Sequence, residues 1–215
     1  LHILTIGLCS ITLAYIMRFL LDRGLEPIYA LLFTSLAALG VLNHLLVRPH
    51  VLTWPILVIW SGQLIQSAED HRPPPRWLLA LMVVWTNLHG SYVLGLGLLI
   101  FFAMDAIWQS TAARQGETAK AWGIFTGLAF LAVLINPYGW HSLNFIYQFL
   151  DQTGLKYISE WRPVDFSSLN ALELWILTLI GLMASGLLRL PPARLLIMLI
   201  LLHEALAHAR YISIF

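Results

Sequence analysis

The chain has 215 residues, of which 59% are hydrophobic and 11% charged, and its mean hydropathy is +0.78. A soluble domain carries about 25% charged residues, so this composition cannot supply a water-facing shell and points instead to a polytopic helical membrane protein. The net charge of +1 says little by itself, but no basic patch supports a nucleic-acid partner, and the one cysteine, Cys9, offers neither a disulfide nor a cysteine metal set.

In chain order, a first apolar helix is expected from about Leu1 to Leu21, ending at Asp22-Arg23-Gly24. A second begins near Pro27, a favoured first-turn residue, and runs to Val47. Arg48-Pro49-His50 breaks it, because proline cannot continue the preceding helix. A third covers about Val51 to Gln66, with Pro55 tolerated in its first turns. Ala68 to Arg76 is a polar loop stiffened by Pro73, Pro74 and Pro75. A long apolar run follows, then a second polar loop from Arg114 to Lys120. The next helix spans about Ala121 to Ile135 and stops at Asn136-Pro137-Tyr138-Gly139, a turn signature. Trp140 to Leu150 is aromatic and amphipathic, like a helix lying in the membrane interface. Asp151 to Asn170 is the longest polar stretch. Two further helices are expected, about Ala171 to Leu188 and Ala193 to Phe215, separated by Pro191-Pro192. The fold expected is all-α: a transmembrane bundle of about eight membrane helices forming one domain over residues 1–215. A sequence that opens at Leu1 without Met, already inside an apolar run, is expected to be part of a longer chain.

The run from Trp77 to Trp108 contains 32 residues. One straight helix would be about 48 Å long, against a hydrocarbon core of roughly 30 Å. The run must tilt, kink or split, and Asn87-Leu88-His89-Gly90 is the natural place. The positive-inside rule weighs the choices. With a split, Arg18, Arg23, Arg72, Arg76, Arg114, Lys120, Arg189 and Arg194 share one face, and Arg48, Lys156, Arg162 and Arg210 the other. That is eight against four, where one kinked span gives seven against five. The split is favoured. It sends Arg48-Pro49-His50, Asn87 to Gly90, Asn136 to Gly139, the 151–170 loop and the end of the last helix to the outer side, where they could converge on one cavity.

Polar residues at membrane depth are site candidates by default, since an unsatisfied polar group there costs several kcal/mol. Asn87 and His89 come first. They either cap and stitch helix ends, with Gly90 allowing close packing, or face a substrate at a broken helix whose freed amides could meet an anion. Glu160, in the long loop, is either solvated or a carboxylate over the cavity, serving as general base, metal ligand or acceptor of sugar hydroxyls. Its neighbour Trp161 either anchors the loop or stacks on a sugar ring. The last helix concentrates His203, Glu204, His208 and Arg210. If it is continuous, His203 and Arg210 share a face, and Glu204 and His208 form the adjacent stripe. Arg210 is then suited to a phosphate or pyrophosphate, because its donor fork matches that anion. Arg48 and His50 are weaker candidates that headgroup anchoring also explains. There is no HExxH motif, Gly-rich phosphate loop or Ser-His-Asp pattern.

Taken together, Arg48-Pro49-His50, Trp85-Thr86-Asn87-Leu88-His89-Gly90, Asn136-Pro137-Tyr138-Gly139, Ile158-Ser159-Glu160-Trp161 with Asp165-Phe166, and Ala209-Arg210 resemble, in this order, a group of bacterial polytopic membrane proteins. That group looks like distant members of the GT-C glycosyltransferase superfamily, which includes protein O-mannosyltransferases and oligosaccharyltransferases. The resemblance spans Arg48 to Phe215. It implies an outer-face active site, a long outer loop after the seventh span, and a polyprenyl-phosphate sugar donor at a bacterial inner membrane. If the first helix here is the second span, the Asn136 to Asn170 region falls at that loop. The catalytic acid of the superfamily would then precede Leu1. Within the chain, Glu160 and His89 are the catalytic candidates. Asn87, Arg210, Trp161, His50, Arg48, Asn136, Tyr138 and His203 are the substrate-binding candidates, with a divalent metal ion as an open question and membrane lipids as surroundings. A transporter or flippase with its site at Asn87 to Gly90, and a non-catalytic scaffold of the same fold, are the rival expectations.

Overall fold

A computed structural model of the chain describes residues 2–42, 49–144, 161–212 and 214, with the backbone alone for 42, 49 and 50. Every regular element among the described residues is helical. The α-helices are α1 (His2–Asp22), α2 (Pro27–Leu42), α3 (Trp54–Glu69), α4 (Trp77–Leu88), α5 (Tyr92–Gln109), α6 (Gln115–Val133), α7 (Ala171–Ala184) and α8 (Pro192–Ala207). Short 3-10 turns cover Pro49–Thr53 and Ala209–Tyr211. By its internal packing the chain divides into two compact units. The first comprises Leu1–Tyr15 with Val47–Asp151, and the second Ile16–Leu46 with Gln152–Phe215.

Three stretches among the described residues are long and apolar enough to cross a membrane: His2–Asp22, Val51–Glu69 and Tyr92–Gln109. The helices α2, α4 and α7 are apolar but shorter. In α1, Ile3, Ile6 and Ile11 are exposed, an arrangement that is unfavourable in water and natural against lipid.

The first unit is organised around α5. Helix α3 packs on α5, α5 on α6, and α4 on α6. Trp60, Trp85 and Trp122 are fully buried there. The Trp60 indole N–H donates to the Gly95 carbonyl at 2.9 Å, and the Trp60 and Trp85 rings meet edge to face at 6.2 Å. Such pairs contribute ~0.5–1.5 kcal/mol beyond the area they bury. Gly95 makes this approach possible, because a Cβ at that position would lie 2.5 Å from the Trp85 ring.

In the second unit α2 packs on α7, and Phe33 stacks with Trp175 at 6.2 Å. Helix α7 starts at Asn170, whose side-chain oxygen accepts the Glu173 N–H at 3.0 Å. The Asn170 side-chain amide donates to the Asp165 carbonyl, and Asp165 in turn accepts the Ser167 N–H at 2.8 Å. That bond holds the Asp165 carboxyl below its ordinary value of 3.8. The turn therefore gains stability above the unfolded carboxyl's pKa and loses it as pH falls through the lower folded value. Exchange of the Ser167 amide proton is therefore expected to speed up, relative to other turn amides, once pH drops below that value. A pH series of amide exchange that leaves Ser167 unchanged would contradict this.

Several boundaries differ from the sequence expectation. The Arg114–Lys120 loop is largely the first turn of α6, whose helix already starts at Gln115 with Glu117 near its positive end. Helix α7 ends at Ala184, four residues early, and Ser185 and Gly186 close it, Gly186 with positive φ. The largest change is at the C-terminus. The last helix stops at Ala207, because His208 takes an extended backbone (φ −141, ψ 112). The expected register of His203 with Arg210, and of Glu204 with His208, is thereby lost: three-dimensional pairing with the 161–164 segment overrides helical continuation. The interfacial helix expected over Trp140 to Leu150 lies mostly outside the described residues.

Candidate functional site

In the first unit, the run from Trp77 to Trp108 is split as charge counting favours. Helix α4 ends at Leu88, His89 is extended, and α5 begins at Tyr92. The polar side chains at this break are committed to backbone. The Asn87 amide donates to the Val83 carbonyl and to the Ile135 carbonyl, each at 2.8 Å. The Thr86 hydroxyl approaches the Val133 carbonyl at 3.4 Å. From the other side Asn136 donates to the same Val133 carbonyl at 2.6 Å and accepts the Tyr138 N–H at 2.7 Å. The last carbonyls of a helix have no partner within it. Asn87, Thr86 and Asn136 together supply those partners for α6, tying the end of α4 to the end of α6.

His89 works on the next helix. Its Nδ1 accepts the Ser91 N–H at 3.1 Å. Ser91 also accepts the Trp85 indole N–H at 3.0 Å and donates toward Thr53 at 3.4 Å. The following amides, Tyr92, Val93 and Leu94, bond to the His89, Gly90 and Ser91 carbonyls. Of the amides freed at the break, those of His89, Ser91, Tyr92, Val93 and Leu94 are already occupied. An imidazole whose Nδ1 accepts carries its proton on Nε2, so His89 offers a donor and not a proton-accepting nitrogen. Tyr138 is 74% exposed.

The Asn87 bonds predict a modest structural cost. Asn87→Ala removes a donor from an exposed site, so about 1 kcal/mol of stability is expected to go. Denaturant titration in detergent would read it. An unchanged midpoint would show that the link from α4 to Ile135 contributes nothing.

In the second unit, the end of α8 folds onto the 161–164 segment. The Val164 N–H donates to the Leu206 carbonyl at 3.2 Å and the Ala209 N–H to the Arg162 carbonyl at 3.0 Å. His208 Nδ1 lies 3.0 Å from the Trp161 carbonyl. Around the half-buried Trp161 indole stand His208 at 5.2 Å and Tyr211 at 6.0 Å, both edge to face, and Tyr211 also meets His208 at 5.8 Å. The Arg210 guanidinium lies over the Trp161 ring, 5.4 Å from its centre. Burial pushes the Tyr211 hydroxyl above its usual range; Arg210 opposes that shift and Glu204 adds to it. Tyr211 therefore stays protonated near neutral pH.

No protein-family model, curated protein or solved structure matches the chain.

The structure thus joins Trp161 and Arg210 in one unit, and Asn87, His89, Asn136 and Tyr138 in the other. His203 is exposed on α8. Glu160 and Arg48 lie outside the described residues, as does the His50 side chain, and no group of three or more metal-ligating side chains occurs among the described residues. His208 and Tyr211 belong to the Trp161 cluster although sequence spacing did not place them there. Asp105 is a further addition: it is 1% exposed within the apolar α5. Its signal in the sequence was plain, a single acid in a run otherwise free of charge.

Proposed function

We propose that the chain is an integral membrane glycosyltransferase of GT-C type in a bacterial inner membrane, built on about eight membrane helices. It takes a sugar from a polyprenyl-phosphate donor at the outer face. The observation that carries this reading is the Arg210 guanidinium held on the Trp161 indole just beyond the C-terminal end of α8. A fork of donors resting on an aromatic face suits a lipid-linked phosphate, and the rest of the aromatic cluster suits a sugar ring. The ordered motifs from Arg48 to Arg210 support the same reading through their resemblance to that superfamily. Transfer is direct displacement at the anomeric carbon. Glu160, next to Trp161 in sequence, remains a candidate carboxylate at this site.

A transporter reading places its site at the break between α4 and α5. The N–H groups from Ser91 to Leu94 already have acceptors, which leaves little for a substrate to bind.

The deciding experiment is sugar transfer from a synthetic polyprenyl-phosphate donor in proteoliposomes. Transfer is expected with the intact protein and lost with Arg210→Ala. Counterflow of a solute without transfer would favour the transporter and dismiss the enzyme.

A further inference from the structure

Among the described residues, two histidines are held by their Nδ1 atoms, and in opposite senses. His89 Nδ1 faces an N–H, that of Ser91, so it accepts and the ring proton sits on Nε2. His208 Nδ1 faces a carbonyl oxygen, that of Trp161, at 3.0 Å. A carbonyl only accepts, so Nδ1 of His208 carries the hydrogen and the lone pair is left on Nε2. Among the described residues that Nε2 has no hydrogen-bond partner. The ring is fixed by its contacts with Trp161 and Tyr211 and stands in the cluster that holds Arg210. The neighbouring Tyr211 hydroxyl stays protonated because it is buried, so it does not compete for a proton.

We infer that His208, and not His89, is the proton-accepting imidazole of this protein, and that its Nε2 takes the proton from the hydroxyl of the sugar acceptor. This rests on the glycosyltransferase reading above and adds a residue to it. The step balances within the groups named. The acceptor oxygen forms a bond to the anomeric carbon as its proton moves to His208 Nε2. The bond from that carbon to the phosphate oxygen breaks, and its electron pair leaves with the polyprenyl phosphate, beside the Arg210 guanidinium. The Trp161 carbonyl holds the imidazole in the tautomer that can accept and stabilises the imidazolium that results. This is the part an orienting acceptor plays behind any histidine base.

The test uses the full chain in lipid nanodiscs and has two arms. In the first, the chain is labelled with 15N-histidine and the His208 signals are assigned by their loss in His208→Asn. The neutral ring is expected to show a protonated Nδ1 and an unprotonated Nε2, and the His89 ring the reverse. A protonated Nε2 on His208 overturns the inference whatever the activity. In the second arm, His208→Asn retains an amide donor where Nδ1 stood, and so keeps the bond to the Trp161 carbonyl, but has no atom in place of Nε2. Sugar transfer is expected to fall on the order of 10²–10⁴-fold, the usual contribution of a general base, while binding of polyprenyl phosphate alone changes less than about twofold on the same grounds, since the base does not touch the phosphate. Undiminished transfer in His208→Asn overturns it. If the intact protein transfers no sugar while the tautomers are as expected, the glycosyltransferase reading fails and the proton-accepting character of His208 stands.

Discussion

Gly95→Ala is expected to destabilise the first unit by about 2 kcal/mol, although alanine is the better helix former. The two effects have different sizes. Alanine in place of glycine inside a helix gains about 1 kcal/mol. Against that, the new Cβ would stand 2.5 Å from Trp85 Cζ3 and 2.9 Å from Cη2, where carbon atoms rest at roughly 3.5–4.0 Å. The Trp85 ring has little room to retreat. It is fully buried, its indole N–H is bonded to Ser91, and its neighbour Trp60 is itself bonded to the Gly95 carbonyl. Overpacking of a close-set core costs about 1–3 kcal/mol, and a contact this short belongs at the upper end. Thermal or denaturant unfolding in detergent would measure the loss. A double-mutant cycle sharpens it: Trp85→Phe removes the ring atoms that clash, so the double variant is expected to be more stable than the two single losses would sum to. Strict additivity would mean that Trp85 is not what resists the alanine.

Much of the helical layout could be read from the sequence because its punctuation is strong. Pro27 opens α2, and Pro55 lies in the first turn of α3. Asn136-Pro137-Tyr138-Gly139 closes the chain after α6, with Gly139 at positive φ. The split at Asn87 to Gly90 was legible from two independent quantities, helix length against bilayer thickness and the distribution of arginine and lysine. What escaped was set by contacts distant in sequence. Nothing near His208 marks a helix stop. It ends there because Val164 and Ala209 exchange backbone bonds with the opposite segment, which no periodicity reveals. The start of α6 was missed for a different reason: Gln115 to Lys120 is polar enough to read as loop, yet its residues are good helix formers.

The candidate site shows the same division. Residue type alone picked out Asn87, His89, Trp161 and Arg210. Their roles depend on which atom faces which. Asn87 looks like a ligand in the sequence, while its amide is occupied by Val83 and Ile135. His89 and His208 are the same residue type, and the polarity of the group opposite Nδ1 tells them apart. Spacing along a helix linked Arg210 to His203. The structure links it to Trp161, 49 residues away by number.

Arg210→Ala is expected to lower sugar transfer on the order of 10²–10³-fold, the scale seen when one donor to developing charge is removed. The loss should fall mainly on kcat. In the proposed transfer, negative charge would build on the leaving phosphate oxygen as the anomeric bond breaks, and the guanidinium would interact more strongly with the transition state than with the bound donor. Arg210→Lys separates charge from geometry. Lysine keeps the cation but has neither the planar fork nor the flat face that rests on Trp161. The stacking on that indole contributes about 0.5–2 kcal/mol toward holding the fork in one orientation. The lysine variant is therefore expected to recover less than about tenfold of the lost activity, with donor KM closer to that of the unaltered chain than kcat. Trp161→Phe, which preserves an aromatic face beneath the guanidinium, is expected to fall between the two. Full activity in Arg210→Lys would show that a point charge suffices and that the Trp161 platform has no part in orienting it. A loss confined to KM would assign Arg210 to donor capture alone, and the charge that develops on the phosphate would need another partner.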